Sequence, residues 1–194
     1  MRILAIDVGT GTQDILLLDS DGRVENGVQL VVPAPTQIVA HKVRAATAAG
    51  RALALHGPIM GGGPCHWAVE DHLRAGLAAY ATASAATTFN DDLAWVQHEM
   101  GVRLVSDDEV RGLPDDVARI ATGDVDLDAI GRALAAFGVP ADYDALAVAV
   151  FDHGAAPPDV SDRVFRFQYL AERLAGGLLA LSFRRDAVPP AMTR

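Results

Sequence analysis

The chain has 194 residues, 51% of them hydrophobic, and a formal net charge of −9. This length predicts one domain, or one domain with a subdomain, and the apolar fraction is ample for a core. The acidic balance argues against nucleic acid or an anionic membrane surface as a partner.

Membrane and export signals are also missing from the sequence. It contains no apolar run of membrane-spanning length, and its N-terminus lacks a basic segment followed by an apolar signal core. We therefore expect a cytoplasmic protein without a membrane partner.

The first eighteen residues predict a tight β-hairpin. Apolar runs at Ile3–Ile6 and Ile15–Leu18 flank Asp7 and a loop of glycine and threonine. The loop residues are Gly9, Thr10, Gly11 and Thr12. Glycine permits a positive φ and close approach of a ligand, and successive N–H groups with threonine hydroxyls suit a phosphate. Asp7 could hold Mg²⁺ directly or through water.

A third strand and the first crossover follow the hairpin. Val24–Val32 predicts a strand that completes an antiparallel meander, because the prolines after it cannot donate to a ladder. Thr36–Ala49 predicts a helix that Gly50 ends, and Arg51–His56 predicts a fourth strand.

Three consecutive glycines form the second glycine-rich segment. Gly61, Gly62 and Gly63 precede Pro64 and a helical pattern over Cys65–Ala79. Proline suits a first helical turn, and the free N–H groups of a helix start attract anions. The segment therefore predicts either a second phosphate contact or a flexible loop with a helix cap.

The second half of the chain predicts an insertion, a strand and a helix. Phe89–Ala141 is acidic and mostly helical in pattern, and we expect it to stand outside the main sheet as an exposed insertion. Asp144–Phe151 predicts a further strand, and Asp152 and His153 follow it. Ser161–Gly176 predicts a further helix.

The hairpin carries a resemblance to a known superfamily. Asp7-Val8-Gly9-Thr10-Gly11-Thr12 resembles the first phosphate loop of the actin, sugar-kinase and heat-shock-chaperone ATPases. The continuation through Asp14 is closer to hydantoinase and oxoprolinase relatives. The whole chain resembles the N-terminal half of a family often labelled "putative pyruvate formate-lyase-activating enzyme".

The resemblance implies an α/β fold, a ribonuclease H-like lobe. This lobe has a three-stranded antiparallel meander, parallel strands, and helices on both faces. We expect it to span residues 1–182 with the insertion at 89–141, and residues 183–194 to be a tail or the start of a linker to a second lobe. The first, fourth and fifth predicted strands would run parallel in one sheet. Their carboxyl ends would then bring the hairpin loop, the triple glycine and Asp152-His153 to one edge.

The implied function is a nucleotide- or phosphate-binding lobe of an actin-like ATPase or of a small-molecule kinase or hydrolase. ATP and Mg²⁺ are the expected ligands, with Asp7 as the metal-linked acid and Gly9–Thr12 on the phosphates. Asp152 or His153 matches the position of the group that orients the attacking water. Because one lobe supplies half of such a site, we expect a second-lobe partner or a homo-oligomer, weak binding and slow turnover.

The acidic residues are also compatible with two other functions. Asp7, Asp14 and Asp152 could form the site of a metal-dependent hydrolase, since ribonuclease H-like lobes host that chemistry. Alternatively the chain is a non-catalytic interaction module that binds its partner through the acidic insertion.

The single cysteine, Cys65, bears on the remaining alternatives. A radical-SAM activating enzyme needs three cysteines for its iron–sulfur cluster, so this chain cannot build one alone. At a helix N-terminus with His66 adjacent and His72 further along, Cys65 is a conceivable nucleophile, although we expect it to be dispensable. A zinc set of His56, Cys65 and His66 fits no established spacing.

Overall fold

The computed structural model describes residues 1–150, 154–157 and 160–192. The chain divides into two compact units, Met1–Val150 and Phe151–Arg194. Two four-stranded sheets make up the framework of the first unit.

The first sheet contains the predicted meander. Its strands are β1 (Arg2–Val8), β2 (Thr12–Asp19), β3 (Val28–Pro33) and β8 (Ala145–Val150), in the order β3-β2-β1-β8. β1 and β3 both run antiparallel to β2, and β8 runs parallel to β1. The predictions of an antiparallel meander and of a late strand parallel to β1 are confirmed.

The second sheet is wholly parallel. Its strands are β4 (Leu53–His56), β5 (Ala79–Ala81), β6 (Arg103–Leu104) and β7 (Ala118–Ala121), in the order β6-β5-β4-β7. The expectation that the fourth strand joins β1 in one sheet is therefore wrong. β4 pairs instead with β5 and β7, two short alanine-containing strands whose sequences carry little strand signal.

Seven α-helices occur in the part of the chain that the structure describes, six of them before β8 and one after it. They are α1 (Pro35–Ala48), α2 (Pro64–Arg74), α3 (Ala83–Ala86), α4 (Leu93–Trp95), α5 (Asp107–Gly112), α6 (Leu127–Ala136) and α7 (Asp162–Leu174). A π-helical turn, Val96–Met100, continues α4, and Gly101 ends it in the left-handed conformation at φ 88°. None of the described helices has the length and apolar character needed to cross a bilayer.

The segment predicted as an exposed insertion, residues 89–141, is part of the second sheet and packs on the first. It supplies β6 and β7 to the second sheet. It also supplies α6, whose Ile130 and Leu134 are buried against Leu4 and Ile15 of the first sheet. Most of the acidic residues that suggested exposure lie on turns and helix starts, while Val102, Val110 and Ile120 between them are buried.

The two cores follow from strand alternation and helix periodicity. On the first sheet, one face of β1 and β2 presents Leu4, Ile6, Ile15 and Leu17, each at most 4% exposed, as a two-residue period requires. Around the second sheet, α1 and α2 bury Val39, Val43 and Val69 against Leu53 and Leu55. Burying a Leu or Val side chain contributes about 1.5–3 kcal/mol, so these contacts hold α1, α2 and α6 in place.

The second unit consists of α7 and two 3₁₀ turns, Leu178–Leu181 and Arg185–Ala187. Gly154 lies against the ring of Phe165, where an added Cβ would come within 2.8 Å of the ring edge. The Ala155 N–H donates to the Ala191 carbonyl at 2.9 Å. These contacts join the start of the unit to its end.

Candidate functional site

The Gly9–Thr12 loop closes the β1–β2 hairpin in an exposed position. The Gly9 N–H donates to the Thr12 carbonyl at 2.9 Å. A Cβ on Gly9 would come within 2.8 Å of that oxygen, whereas a Cβ on Gly11 would meet nothing within 4 Å. Neither glycine has a positive φ, so the requirement for Gly9 is close approach within the turn rather than a left-handed conformation.

Two carboxylates face each other beside this loop. Asp7 of β1 and Asp14 of β2 are direct partners in the antiparallel ladder, so their side chains share one face of the sheet. Asp7 is exposed and Asp14 is half-buried, and neither has a partner among the described residues. Directly opposed like charges are destabilising, and a divalent cation held between them would relieve the repulsion.

The end of β8 lies next to the same loop. Val8 and Val150 are in register on the parallel β1 and β8 strands, so both strands reach the same edge of the sheet. Asp152 and His153, the predicted water-orienting residues, lie outside the described residues. Their role in orienting water stays a prediction.

The two glycine-rich segments meet at the start of α1, although they follow strands of different sheets. The Ala34 N–H, at the N-cap of α1, donates to the Gly11 carbonyl at 3.0 Å. The Thr36 hydroxyl, in the first turn, donates to the Gly62 carbonyl. The sequence predicted that the loops converge on one sheet edge, and they approach one another through a helix start instead.

Two residues of the triple glycine already have hydrogen-bond partners within the chain. The Gly61 N–H donates to the Asp124 carboxylate at 3.2 Å, and the Cys65 N–H donates to the Gly62 carbonyl at 3.0 Å. A Cβ on Gly62 would come within 2.8 Å of the Thr88 carbonyl, so this glycine is needed for packing. These contacts favour the structural alternative, a loop that caps and packs α2.

Cys65 is placed as a structural thiol. Its side chain is fully buried, and burial raises the pKa of the thiol to about 12. The two histidines considered as its partners are engaged elsewhere: His66 Nε2 lies 3.3 Å from the Glu70 carboxylate, and His72 Nδ1 lies 2.8 Å from the Thr47 hydroxyl. A neutral, enclosed thiol is a poor nucleophile.

Metal-ligating side chains do not form a larger cluster in the described ranges, where no group of three His, Cys, Asp or Glu side chains is arranged to hold a metal ion. The zinc set of His56, Cys65 and His66 therefore has no support from these residues. The opposed pair Asp7 and Asp14 offers two protein ligands. A cation there would need further oxygens from water or from a bound phosphate, as is usual for Mg²⁺.

Sequence reasoning missed a cleft of about 730 Å³ between the first sheet, α1 and α6. Gln13 lies in its wall, on the face of β2 opposite to Asp14. The signal was a polar residue at an inward position of the alternating pattern Gln13, Ile15, Leu17. The cleft itself could not be predicted, because its walls come from three segments that are distant in the chain.

Comparison with known proteins gives one family. The model of the family described as "Putative pyruvate format-lyase activating enzyme (DUF1786)" matches residues 60–194, which is more than half of the chain. The matched residues include the triple glycine and β8, and they begin after the hairpin loop. No curated protein matches the chain significantly.

Proposed function

The chain belongs to this family, and we propose that it serves as a nucleotide- or phosphate-binding lobe of an actin-like ATPase or of a small-molecule kinase or hydrolase. The observation that carries the proposal is the pairing of an exposed glycine and threonine loop with two opposed, unpartnered carboxylates, Asp7 and Asp14. Both features lie at the edge where β8 also ends.

A ribonuclease H-like arrangement is the finer fold that we propose for the first sheet. Support comes from the order β3-β2-β1-β8, in which an antiparallel meander is extended by a parallel strand beside β1. α6 precedes β8 and packs on this sheet through Ile130 and Leu134. In this proposal the second, parallel sheet is an addition to the lobe, and its strands lie in chain order between β3 and α6.

In this proposal the hairpin loop binds phosphate, and the two opposed carboxylates beside it bind the metal ion. The loop N–H groups and the hydroxyls of Thr10 and Thr12 bind phosphate oxygens, because oriented amides and hydroxyls form a concave donor surface. Asp7 and Asp14 hold Mg²⁺ directly or through water. Asp152 or His153 would orient the attacking water. The metal would neutralise charge on the phosphates, which is the chemistry that it supplies in phosphoryl transfer.

The printed family description names an activating enzyme, and we do not extend that activity to this chain. Radical-SAM activating enzymes hold their cluster on three cysteines, and this chain has one, Cys65. That residue is buried and its thiol has a raised pKa. We therefore assign no iron–sulfur cluster to the chain.

A titration of ATP and ADP with and without Mg²⁺ tests the proposal. Asp7→Asn should weaken Mg²⁺-nucleotide binding about tenfold or more, which corresponds to about 1.4 kcal/mol, because the nearly isosteric amide removes one anionic ligand. Asp21→Asn is the matched control, since Asp21 is an exposed acid in the turn after β2, at the other end of the hairpin. Equal binding by wild type and Asp7→Asn would overturn the role of Asp7.

A second function, as an interaction module, is favoured by β8. This strand ends the order of the first sheet, and its Leu146, Val148 and Val150 are 43%, 42% and 49% exposed. A row of adjacent, exposed apolar side chains is typical of a surface that another protein segment covers. In the lobe proposal that segment belongs to a second lobe or a second copy. The mass of the chain in solution, measured with and without nucleotide, separates the two functions.

A further inference from the structure

The cleft between the first sheet, α1 and α6 has the size of a small-molecule site. Its volume is about 730 Å³, within the range of about 300–1,000 Å³ that is usual for ligand pockets. Ile15, Leu30 and Val32 form its sheet wall, and Ile38 and Leu127 stand on the two helices. The last two are 37% and 39% exposed, so apolar surface faces the opening.

Gln13 places an unpaired acceptor in this wall. Its side chain is 6% exposed, and its Nε2 donates to the Pro33 carbonyl at 3.0 Å. The Oε1 atom is buried without a partner. Exchanging the two ends of the amide would set Oε1 against the Pro33 oxygen, so the unpaired atom must be the acceptor. A buried acceptor is costly to leave unsatisfied, and a donor on a ligand would satisfy it.

The cleft lining also carries free cationic side chains. Lys42 of α1 and Arg132 of α6 both line it, and neither has a partner among the described residues. Two carboxylates line it as well, Asp126 and Asp128. Asp126 is engaged as the N-cap of α6, where it accepts from the Ala129 N–H at 2.8 Å. Two cations and one unengaged carboxylate remain, so the lining favours an anionic group.

We propose that this cleft binds a small organic acid with an apolar ring or chain and a hydroxyl or N–H donor. The donor bonds Gln13 Oε1, and the anionic group pairs with Lys42 or Arg132. The apolar body packs against Ile38 and Leu127, the exposed apolar side chains of the lining. The site is separate from the proposed nucleotide site, because Gln13 and Asp14 are consecutive on β2 and lie on opposite faces of the sheet. It therefore stands whether or not the hairpin binds nucleotide.

Two matched probes test the donor requirement. Indole-3-acetate combines an apolar ring, an N–H and a carboxylate, and 1-methylindole-3-acetate differs from it by loss of the N–H. In amide NMR titrations of the full chain, indole-3-acetate should shift residues of β2, α1 and α6 and bind about tenfold or more tightly than its methylated analogue. Equal affinity of the two probes, or no binding at millimolar concentration, would overturn the proposal.

Variants locate the site. Ala133→Phe should abolish binding because Ala133 lines the cleft. Ala135→Phe, at an exposed position on the same helix, should bind as wild type does.

Gln13→Met should make the affinities of the two probes equal. Lys42→Ala alters an exposed side chain without a partner, so it should fold normally and weaken binding several-fold. Binding that survives Ala133→Phe, or that shifts β8 instead, would contradict the proposal.

Discussion

Asp7 and Asp14 lie directly opposite each other on the β1–β2 ladder, and neither carboxylate has a partner among the described residues. Their repulsion is the structural basis of the proposed Mg²⁺ site. It also makes the hairpin less stable without a cation than its packing alone would allow.

Replacing one of these carboxylates should therefore stabilise the metal-free protein. We expect Asp14→Asn to raise the free energy of unfolding by about 0.2–1 kcal/mol without Mg²⁺, because the like-charge pair is lost. Mg²⁺ should raise the melting temperature of wild type more than that of the variant. Thermal unfolding with and without Mg²⁺ measures both effects, and an equal Mg²⁺ response in the two proteins would show that the pair binds no cation.

The two hairpin glycines should respond differently to alanine. Gly9→Ala forces a Cβ to within 2.8 Å of the Thr12 carbonyl, and we expect a loss of about 1–3 kcal/mol in unfolding free energy from the resulting strain. Gly11→Ala is the matched control. It meets open space at a φ that is not positive, and should change stability by no more than about 0.5 kcal/mol. Urea denaturation of both variants decides this, and equal losses would contradict the hairpin geometry.

Cys65 should be unreactive in the folded protein. Burial raises the pKa of its thiol to about 12, so at pH 8 almost none is in the thiolate form that attacks disulfide reagents. Labelling with a chromogenic disulfide should be slow in buffer and fast in denaturant. Cys65→Ser should retain ligand binding. Rapid labelling of native protein, or loss of binding with an intact fold, would restore the thiol-enzyme interpretation.

His72 should make stability depend on pH. Burial lowers the pKa of His72 below its ordinary 6.5, while its hydrogen bond to the Ala78 carbonyl acts in the opposite direction. The unfolded state then binds a proton more readily than the folded state. The contribution of His72 to the free energy of unfolding is therefore fully present above pH 6.5. It is lost as the pH falls from 6.5 towards the pKa of His72 in the folded state.

Urea unfolding at pH 7.5 and pH 5 measures this dependence. Wild type should lose more stability between the two values than His72→Gln, whose side chain does not titrate. The variant is expected to be less stable at pH 7.5, because the contact of His72 Nδ1 with the Thr47 hydroxyl, 2.8 Å in the wild type, is altered. An identical pH response in both proteins would show that His72 does not carry the effect.

The sequence could predict the elements with strong local patterns. The hairpin, β3, α1 and β8 all have clear apolar periods and glycine or proline boundaries, and each was found within a few residues of its predicted limits. Asp7 and the Gly9–Thr12 loop could also be identified from the sequence, because these candidate ligand-binding residues lie close together in the chain.

The second sheet and the cleft could not be predicted in this way. β5 and β6 have three and two residues, too few to show a period, so the sequence does not reveal the strands with which β4 pairs. In residues 89–141 the acidic turns predict exposure, although Val110 and Ile120 between them are buried. The unpaired Oε1 of Gln13 depends on the bond of Nε2 to Pro33 and on the helices around the side chain, which only tertiary structure brings together.

Amide NMR with Mg²⁺-ADP tests the central claim most directly, because it reports where the ligand lies as well as whether it binds. We predict saturable shifts at the amides of Gly9–Thr12 and of the adjacent Asp7 and Asp14, with little change at Gly61, whose N–H already donates to Asp124. The shifts should weaken in Asp7→Asn and persist in Asp21→Asn. A hairpin that stays unperturbed at saturating Mg²⁺-ADP, or a response confined to other residues, would contradict the account.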